Sequence, residues 1–372
     1  MRMNRSLAGM IAAVALIASN VAIASAATPH GFYGVTPQTK LTRADFREMG
    51  RGNVGTLRYE VSWADLDPAP ATEAELFTAR AYNWWAFDPL VYLAAERGIR
   101  ILPTIYGTPH WVATLQDCWS NCHKLGPNTI GAYITFSRFM TAAAKRYGKG
   151  GEFWDLHPEL TARPIRIWQI WNEQNSSDYW KPGPNVTDYA NLVIAGGEAV
   201  HAVDPGARVI LGGMIGEPAQ EGKKTVSGWD FLRDLYANPR AREAFDGIAV
   251  HPYGASIASV RGTLGRWRKE LKDARALGDP IYVTEIGWAS GGGKHPLNRG
   301  VRGQAQMIDK ALTFFTAKRK RFNIANVDIY AWRDAAPGAD QCQWCAKSGM
   351  LRYERRRPKP AWRAFTSFTK RR

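Results

Sequence analysis

Ile165-Arg166-Ile167-Trp168-Gln169-Ile170-Trp171-Asn172-Glu173-Gln174-Asn175 is the stretch on which the fold turns. A run of apolar, aromatic and β-branched residues that breaks into polar sequence reads as a buried strand. This one ends in Asn-Glu, so a carboxylate stands at its tip. Outward from it, comparable runs occupy Gly31–Val35, Gly52–Tyr59, Ile99–Ile105, Arg208–Gly212, Gly247–His251, Ile281–Thr284 and Val327–Trp332. Helical patterns fall between most of them, at Pro89–Arg97, Ala132–Arg146, Asp188–Val203, Gly228–Ala237 and Gly303–Lys318. Gly98, Pro205 and Gly278-Asp279-Pro280 supply stops before the following strands. Eight strands alternating with helices predict an α/β fold, a (β/α)8 TIM barrel rather than an open sheet. A single domain over 27–372 with long top-face loops is expected. Polar residues gather just after the apolar runs, at the strand ends where such barrels build their sites.

The 372 residues are 45% hydrophobic and 22% charged, an ordinary globular balance. Residues 1–26 read as a signal peptide: Arg2 and Arg5 lead, Leu7–Ile23 form an apolar core, and Ala24-Ser25-Ala26 is a cleavage pattern. The mature protein is expected to be secreted. No later stretch is apolar and long enough to suggest stable membrane insertion. In an oxidising compartment the close pairs Cys118/Cys122 and Cys342/Cys345 read as two local disulfides rather than a four-thiolate zinc site. The net charge of +16 includes Lys318-Arg319-Lys320-Arg321 and Arg355-Arg356-Arg357. Such runs are usually solvated faces and tails, though an anionic polymer is a possible partner. No nucleic-acid-binding motif accompanies them. Fifteen Trp and fourteen Tyr exceed ordinary usage, and flat rings stack on sugar faces as readily as they fill cores.

The seventh run repeats the pattern of the fourth: Ile281-Tyr282-Val283-Thr284-Glu285-Ile286-Gly287-Trp288 carries an acid at its tip. Two carboxyl groups about three strands apart face each other across the mouth of one barrel. Cleavage of a glycosidic bond needs such a pair, one acid protonating the leaving oxygen and the other attacking the anomeric carbon or activating water. Net retention requires them to stand about 5 Å apart. A lone strand-end Glu is more often an ion-pair partner, whereas two in matching contexts favour chemistry.

Asn172-Glu173 ending the fourth strand and Glu285 ending the seventh resemble the clan A retaining glycoside hydrolases, and the likeness spans nearly the whole mature chain. That resemblance implies Glu173 as acid/base, Glu285 as nucleophile, and Asn172 as a partner of the sugar 2-hydroxyl. It implies that Arg58 keeps the nucleophile ionised, that Tyr253 hydrogen-bonds it, and that His251, in Val250-His251-Pro252-Tyr253-Gly254, lines the sugar pocket. Trp332, in Tyr330-Ala331-Trp332, resembles the aromatic platform beneath the sugar. Arg58 with Trp63 and Pro68 is similar to the second strand of families 5, 39 and 42. Tyr106-Gly107-Thr108-Pro109-His110-Trp111 resembles the segment after the third strand in family 39-like enzymes, and Gly349 to Trp362 resembles the segment that leads from the eighth strand into the last helix. His110 is a further binding candidate. Trp84, Trp85, Trp111, Trp119, Trp180 and Trp344 are candidate subsite aromatics, although packing under its own loop is the commoner role for each.

The expected function is therefore a secreted retaining O-glycosyl hydrolase that degrades a polysaccharide or oligosaccharide through a glycosyl–enzyme intermediate. No metal or organic cofactor is implied, because side chains supply both proton and nucleophile, and a monomer is expected. Glucan, xylan, mannan or an acidic exopolysaccharide would fit, the basic charge leaning toward an anionic substrate. A catalytically silent carbohydrate-binding barrel is the alternative, as is a transglycosylase using the same residues.

Overall fold

The structure is a computed structural model that describes residues 28–70, 81–113, 122–217, 225–339, 342–354 and 357–371. The expected signal peptide, the Cys118–Cys122 bridge and Trp119 lie outside the described residues.

The strands are β1 (Tyr33–Thr36), β2 (Thr56–Ser62), β3 (Arg100–Tyr106), β4 (Ile167–Asn172), β5 (Arg208–Gly213), β6 (Ile248–Val250), β7 (Ile281–Ile286) and β8 (Ile324–Tyr330). They form one parallel sheet in the order β5-β4-β3-β2-β1-β8-β7-β6. The remaining seam is bridged by parallel contacts Ile210 to Gly247 and Met214 to Val250, so the sheet closes on itself. Helices α1 (Arg43–Arg51), α2 (Trp63–Leu66), α3 (Asp88–Ala95), α4 (Ile130–Tyr147), α5 (Glu152–Leu156), α6 (Val186–Val203), α7 (Gly228–Tyr236), α8 (Pro239–Glu243), α9 (Ile257–Asp273), α10 (Gly300–Phe322) and α11 (Pro360–Thr369) lie between and after the strands. This is the (β/α)8 barrel that the alternation predicts. Among the described residues, no helix is long and apolar enough to cross a membrane.

Two cores hold it together. The large one lies between strands and helices, where residues such as Val35, Leu57, Ile170, Val209, Val283 and Ile329 are fully buried. Alternate residues face the other way, and Leu102, Ile210, Ala249 and Tyr282 form a separate small apolar plug inside the barrel. Above the plug the inward residues turn polar: Thr104 and Arg58 both donate to Gln169 Oε1, at 3.1 and 3.0 Å. A fully buried polar layer is tolerated only when it is hydrogen-bonded, and here it forms the floor of the site.

Two local differences from the sequence reading matter. The eighth strand starts at Ile324 and ends at Tyr330, earlier than Val327–Trp332, because α10 runs on to Phe322 and turns at Asn323 (φ 49°). Helix α9 carries basic residues over most of its length and buries only a narrow stripe, Val260, Leu264, Trp267, Glu270 and Leu271, so its period is weak in the sequence. Helix α10 ends in Arg319, Lys320 and Arg321, where cations favourably meet the C-terminal dipole. That end leads into the start of β8, at the face of the barrel opposite the strand tips. Cys342 and Cys345 form the predicted disulfide, in the loop after β8.

Candidate active site

A cavity of about 1240 Å³ opens over the C-terminal ends of the strands. Its floor is built by strands whose last residues cannot simply continue the pleat. At the end of β4, Trp171 and Glu173 both adopt left-handed backbone, at φ 71° and 42°. Positive φ is costly for side chains of this size, about 1–3 kcal/mol each, and persists only where the surroundings enforce it. Here Trp171 is clamped by its indole N–H donating to Tyr179 O at 2.9 Å and by edge contacts with Tyr106 and Trp180. The Glu173 amide donates to Gly213 O at 3.0 Å. The twist turns Asn172 and Glu173 into the barrel mouth.

Strand β7 solves the same problem differently. Val283 pairs with Val327 and Ile286 with Ile329, so β7 spends one more residue than β8 over that interval. The extra residue is a β-bulge, a device that re-aims side chains beside active sites. Through it the consecutive residues Thr284 and Glu285 both reach groups inside the barrel.

Arg58 organises the floor. Its guanidinium donates to Glu285 Oε1 at 2.6 Å, to Asn172 Oδ1 at 2.6 Å and to Gln169 Oε1 at 3.0 Å. Tyr253 donates its phenol to Glu285 Oε2 at 2.8 Å. Burial alone would raise the Glu285 carboxyl, but the charge of Arg58 and the hydrogen bonds from Tyr253 and Arg58 oppose it, and the carboxyl lies below the usual carboxylate range. Burial, followed by the charge of Glu285, keeps the Tyr253 phenol protonated well beyond its ordinary range. Glu173 is held differently, by His251 Nδ1 at 2.7 Å from its Oε1. His251 fits because β5 ends in Gly-Gly: a Cβ on Gly213 would lie 2.0 Å from its Nε2.

Donor atoms of Glu173, His251 and Glu285 lie within 4.8 Å of one another. For the two carboxylates this is close to the separation a double-displacement reaction needs. A cation would suit the trio poorly, because the fixed charge of Arg58 already stands against Glu285 and the Tyr253 phenol takes its other oxygen.

The structure thus brings Arg58, Asn172, Glu173, His251, Tyr253 and Glu285 together around one cavity. Four other expected binding residues lie elsewhere. Trp332 is fully buried, donates to Asp45 Oδ1 at 3.1 Å and packs on Trp362. With β8 ending at Tyr330, Tyr330 rather than Trp332 lines the cavity. Trp180 is buried behind β4, where it braces Trp171 and packs on Tyr189. Trp111 ties its loop down by donating to Asp67 O at 2.8 Å, and His110 is exposed; neither lines the cavity. Of the remaining aromatic candidates, Trp84 packs against Phe139 and Tyr147, Trp85 is solvent-exposed, and Trp344 does line the cavity, 5.2 Å from the Tyr253 ring.

Several cavity residues escaped the sequence reading, among them Glu60, Tyr179, Trp229, Arg266 and His295. Glu60 was detectable in principle: it stands two residues beyond Arg58 on β2 and so shares its face. It is open to the water of the cavity, yet enclosure by the walls raises its carboxyl, with Arg58 opposing and Glu285 reinforcing the shift. Trp229 and Arg266 come from helices α7 and α9, and no local pattern points them at the site.

No protein-family model and no curated sequence matches the chain. Solved structures do match in fold. A family 39 glycoside hydrolase from Bacteroides cellulosilyticus is 18% identical, with 92% of this chain and 64% of that one covered at a TM-score of 0.60. A monomeric beta-xylosidase from Caulobacter crescentus is 16% identical, with 91% and 68% covered at 0.65. A family 39 enzyme from Xanthomonas axonopodis pv. citri is 17% identical, with 91% and 66% covered at 0.64. The chain spans less than two thirds of the length of the first and third of these. The barrel resembles those of these glycoside hydrolases. At such identities the likeness is one of fold, and the chemistry rests on this chain's own residues.

Proposed function

We propose that this chain is a secreted retaining glycoside hydrolase, with Glu285 as nucleophile and Glu173 as acid/base. The observation that carries the reading is the asymmetric pair: two carboxylates within 4.8 Å, one held ionised by Arg58 and Tyr253, the other bound, among the described residues, to a histidine alone. In the first step a Glu285 oxygen attacks the anomeric carbon while Glu173 gives its proton to the departing oxygen. The glycosidic C–O bond breaks and a glycosyl ester on Glu285 forms. Glu173, now a carboxylate, takes a proton from water, whose oxygen attacks the same carbon and releases Glu285. Asn172, fixed by Arg58, is placed to meet a sugar hydroxyl beside the reacting carbon, and Tyr330 and Trp344 offer aromatic faces.

The cavity's charge favours a neutral saccharide. Among the described residues its lining holds Lys40, Arg58 and Arg266 against Glu60, Glu173, Asp178, Glu217 and Glu285. The basic end of α10 is at the opposite face of the barrel, so that run does not line the site. The test is a panel of xylan, glucan, mannan and a uronate polymer assayed for reducing ends, with Glu285→Gln as control. Release from a neutral polymer that the control abolishes, with the retained anomer seen first by NMR, supports the reading. An inverted first product, or a control as active as the parent, overturns it. N-terminal sequencing of exported protein tests cleavage after Ala26.

A further inference from the structure

His251 sits between both acids and a third group that the mechanism leaves idle. Its Nδ1 is 2.7 Å from Glu173 Oε1, and its Nε2 is 3.2 Å from Thr284 Oγ1. Glu285 Oε1 is 3.8 Å from Nε2, beyond hydrogen-bonding distance. The imidazole side chain is fully buried, and so is Thr284. Among the described residues, His251 Nε2 is the one hydrogen-bond partner of the Thr284 hydroxyl. The Thr284 carbonyl is engaged separately, accepting from Thr36 Oγ1 at 3.1 Å.

A buried hydroxyl carries one proton that must find an acceptor. For Thr284 that acceptor is Nε2, which must then be unprotonated. A neutral imidazole with a bare Nε2 carries its hydrogen on Nδ1. Nδ1–H can only donate to Glu173 Oε1, so Oε1 cannot also hold the acid proton in that line. The proton resides on Oε2. The opposite tautomer, with hydrogen on Nε2, would strand the Thr284 proton and draw the Glu173 proton inward to a bare Nδ1.

We propose that Thr284 is a positioning residue: by donating to His251 Nε2 it fixes the Nδ1–H tautomer and keeps the acid proton of Glu173 on Oε2, ready for the leaving oxygen. This rests on Glu173 being the acid/base. When the proton departs with the leaving group, Nδ1–H already points at the carboxylate that remains. The β7 bulge explains how the residue next to the nucleophile can serve the acid: without it, Thr284 and Glu285 would face opposite sides of the sheet. The charged and titratable groups around the imidazole are Glu173 from β4, Glu285 from β7, Arg58 from β2 through its contact with Glu285, and Tyr253 from its own loop.

The test pairs a spectroscopic readout with a kinetic one. In protein labelled with ¹⁵N-histidine, long-range ¹H–¹⁵N correlations report the His251 tautomer. Nδ1–H is expected in the parent and in Thr284→Ser, and Thr284→Val should lose it. An Nε2–H tautomer in the parent, or no change in the valine variant, overturns the proposal. In kinetics on aryl glycosides of xylose, glucose and mannose, general acid help matters most for poor leaving groups. Thr284→Val should lower kcat/KM about tenfold or more on phenyl glycosides and under about threefold on dinitrophenyl glycosides, because acid catalysis as a whole supplies about 10²–10⁴. Thr284→Ser should restore the phenyl rate. Equal losses on both substrates would mean a merely structural role and overturn the proposal. If the parent hydrolyses none of these glycosides or the polysaccharides, the glycosidase reading fails, while the tautomer measurement still decides the Thr284–His251 link.

Discussion

The ends of β4 and β7 present the same side chain and treat it in opposite ways. At β7, Glu285 meets a permanent cation and a phenol, so both oxygens accept hydrogen bonds and the charge is fixed. At β4, Glu173 meets, among the described residues, one ring through one oxygen, and its other oxygen accepts no side-chain hydrogen bond from them. The backbone differs in the same sense: β7 delivers its acid through a bulge, β4 through strained left-handed residues. Environment rather than residue type sets the two apart: the same side chain meets a fixed cation at one strand end and a histidine at the other.

Removing either acid breaks this comparison most severely. Glu285→Gln should lower kcat by about 10⁴-fold or more, since losing a nucleophile abolishes the covalent step. Glu173→Gln should lower kcat/KM by about 10²–10⁴ on phenyl glycosides and far less on dinitrophenyl glycosides, because only the former need a proton to leave. Matching losses in the two series would erase the division of labour.

Arg58→Met sharpens the β7 side. Arg58 holds the Glu285 carboxyl below its ordinary range, so losing it lets burial raise that pKa. The acidic limb of the kcat/KM profile should then move to higher pH, and activity should be lost earlier as pH falls. The stability contribution follows the same sign: a depressed carboxylate stabilises the folded state above its unfolded pKa and loses that contribution as pH falls toward the folded value. An acidic limb that stays put would refute this role for Arg58.

Gly213→Ala probes the β4 side, because the added methyl would collide with the His251 ring. The expected result is displacement of His251 and a loss resembling Glu173→Gln in its leaving-group dependence. The smallest effect on activity is expected from Trp332→Phe, which removes a hydrogen bond to buried Asp45 far from substrate. Thermal stability should fall, by about 1.5–3 kcal/mol for a lost hydrogen bond to a charged group, with KM within about twofold. Tyr330→Ala should instead raise KM, and the reverse ranking would return the platform role to Trp332.

The strands were legible because each is a short apolar run bounded by Gly, Pro or polar residues, and Asn172-Glu173 and Glu285 were legible because they interrupt such runs at their tips. Trp332 misled because Tyr330-Ala331-Trp332 offers two aromatics on one face, and only the true end of β8 says which stands at the cavity. Trp111 and Trp180 misled for a related reason: an aromatic in a top-face loop can brace the backbone beneath the site, as Trp180 braces Trp171.

By itself, the sequence determined the barrel and the placing of two acids at strand tips, because strand period and strand-end polarity are local properties; Arg58, His251 and Tyr253 stood out only through the resemblance to a known family. Tertiary structure alone decided which nitrogen of His251 faces Glu173, that Thr284 faces its other side, and that an acid-lined cavity lies opposite a basic face. Those facts depend on a bulge in β7, paired glycines at the end of β5 and the closure of eight strands, which set distances between residues 33 and 78 positions apart.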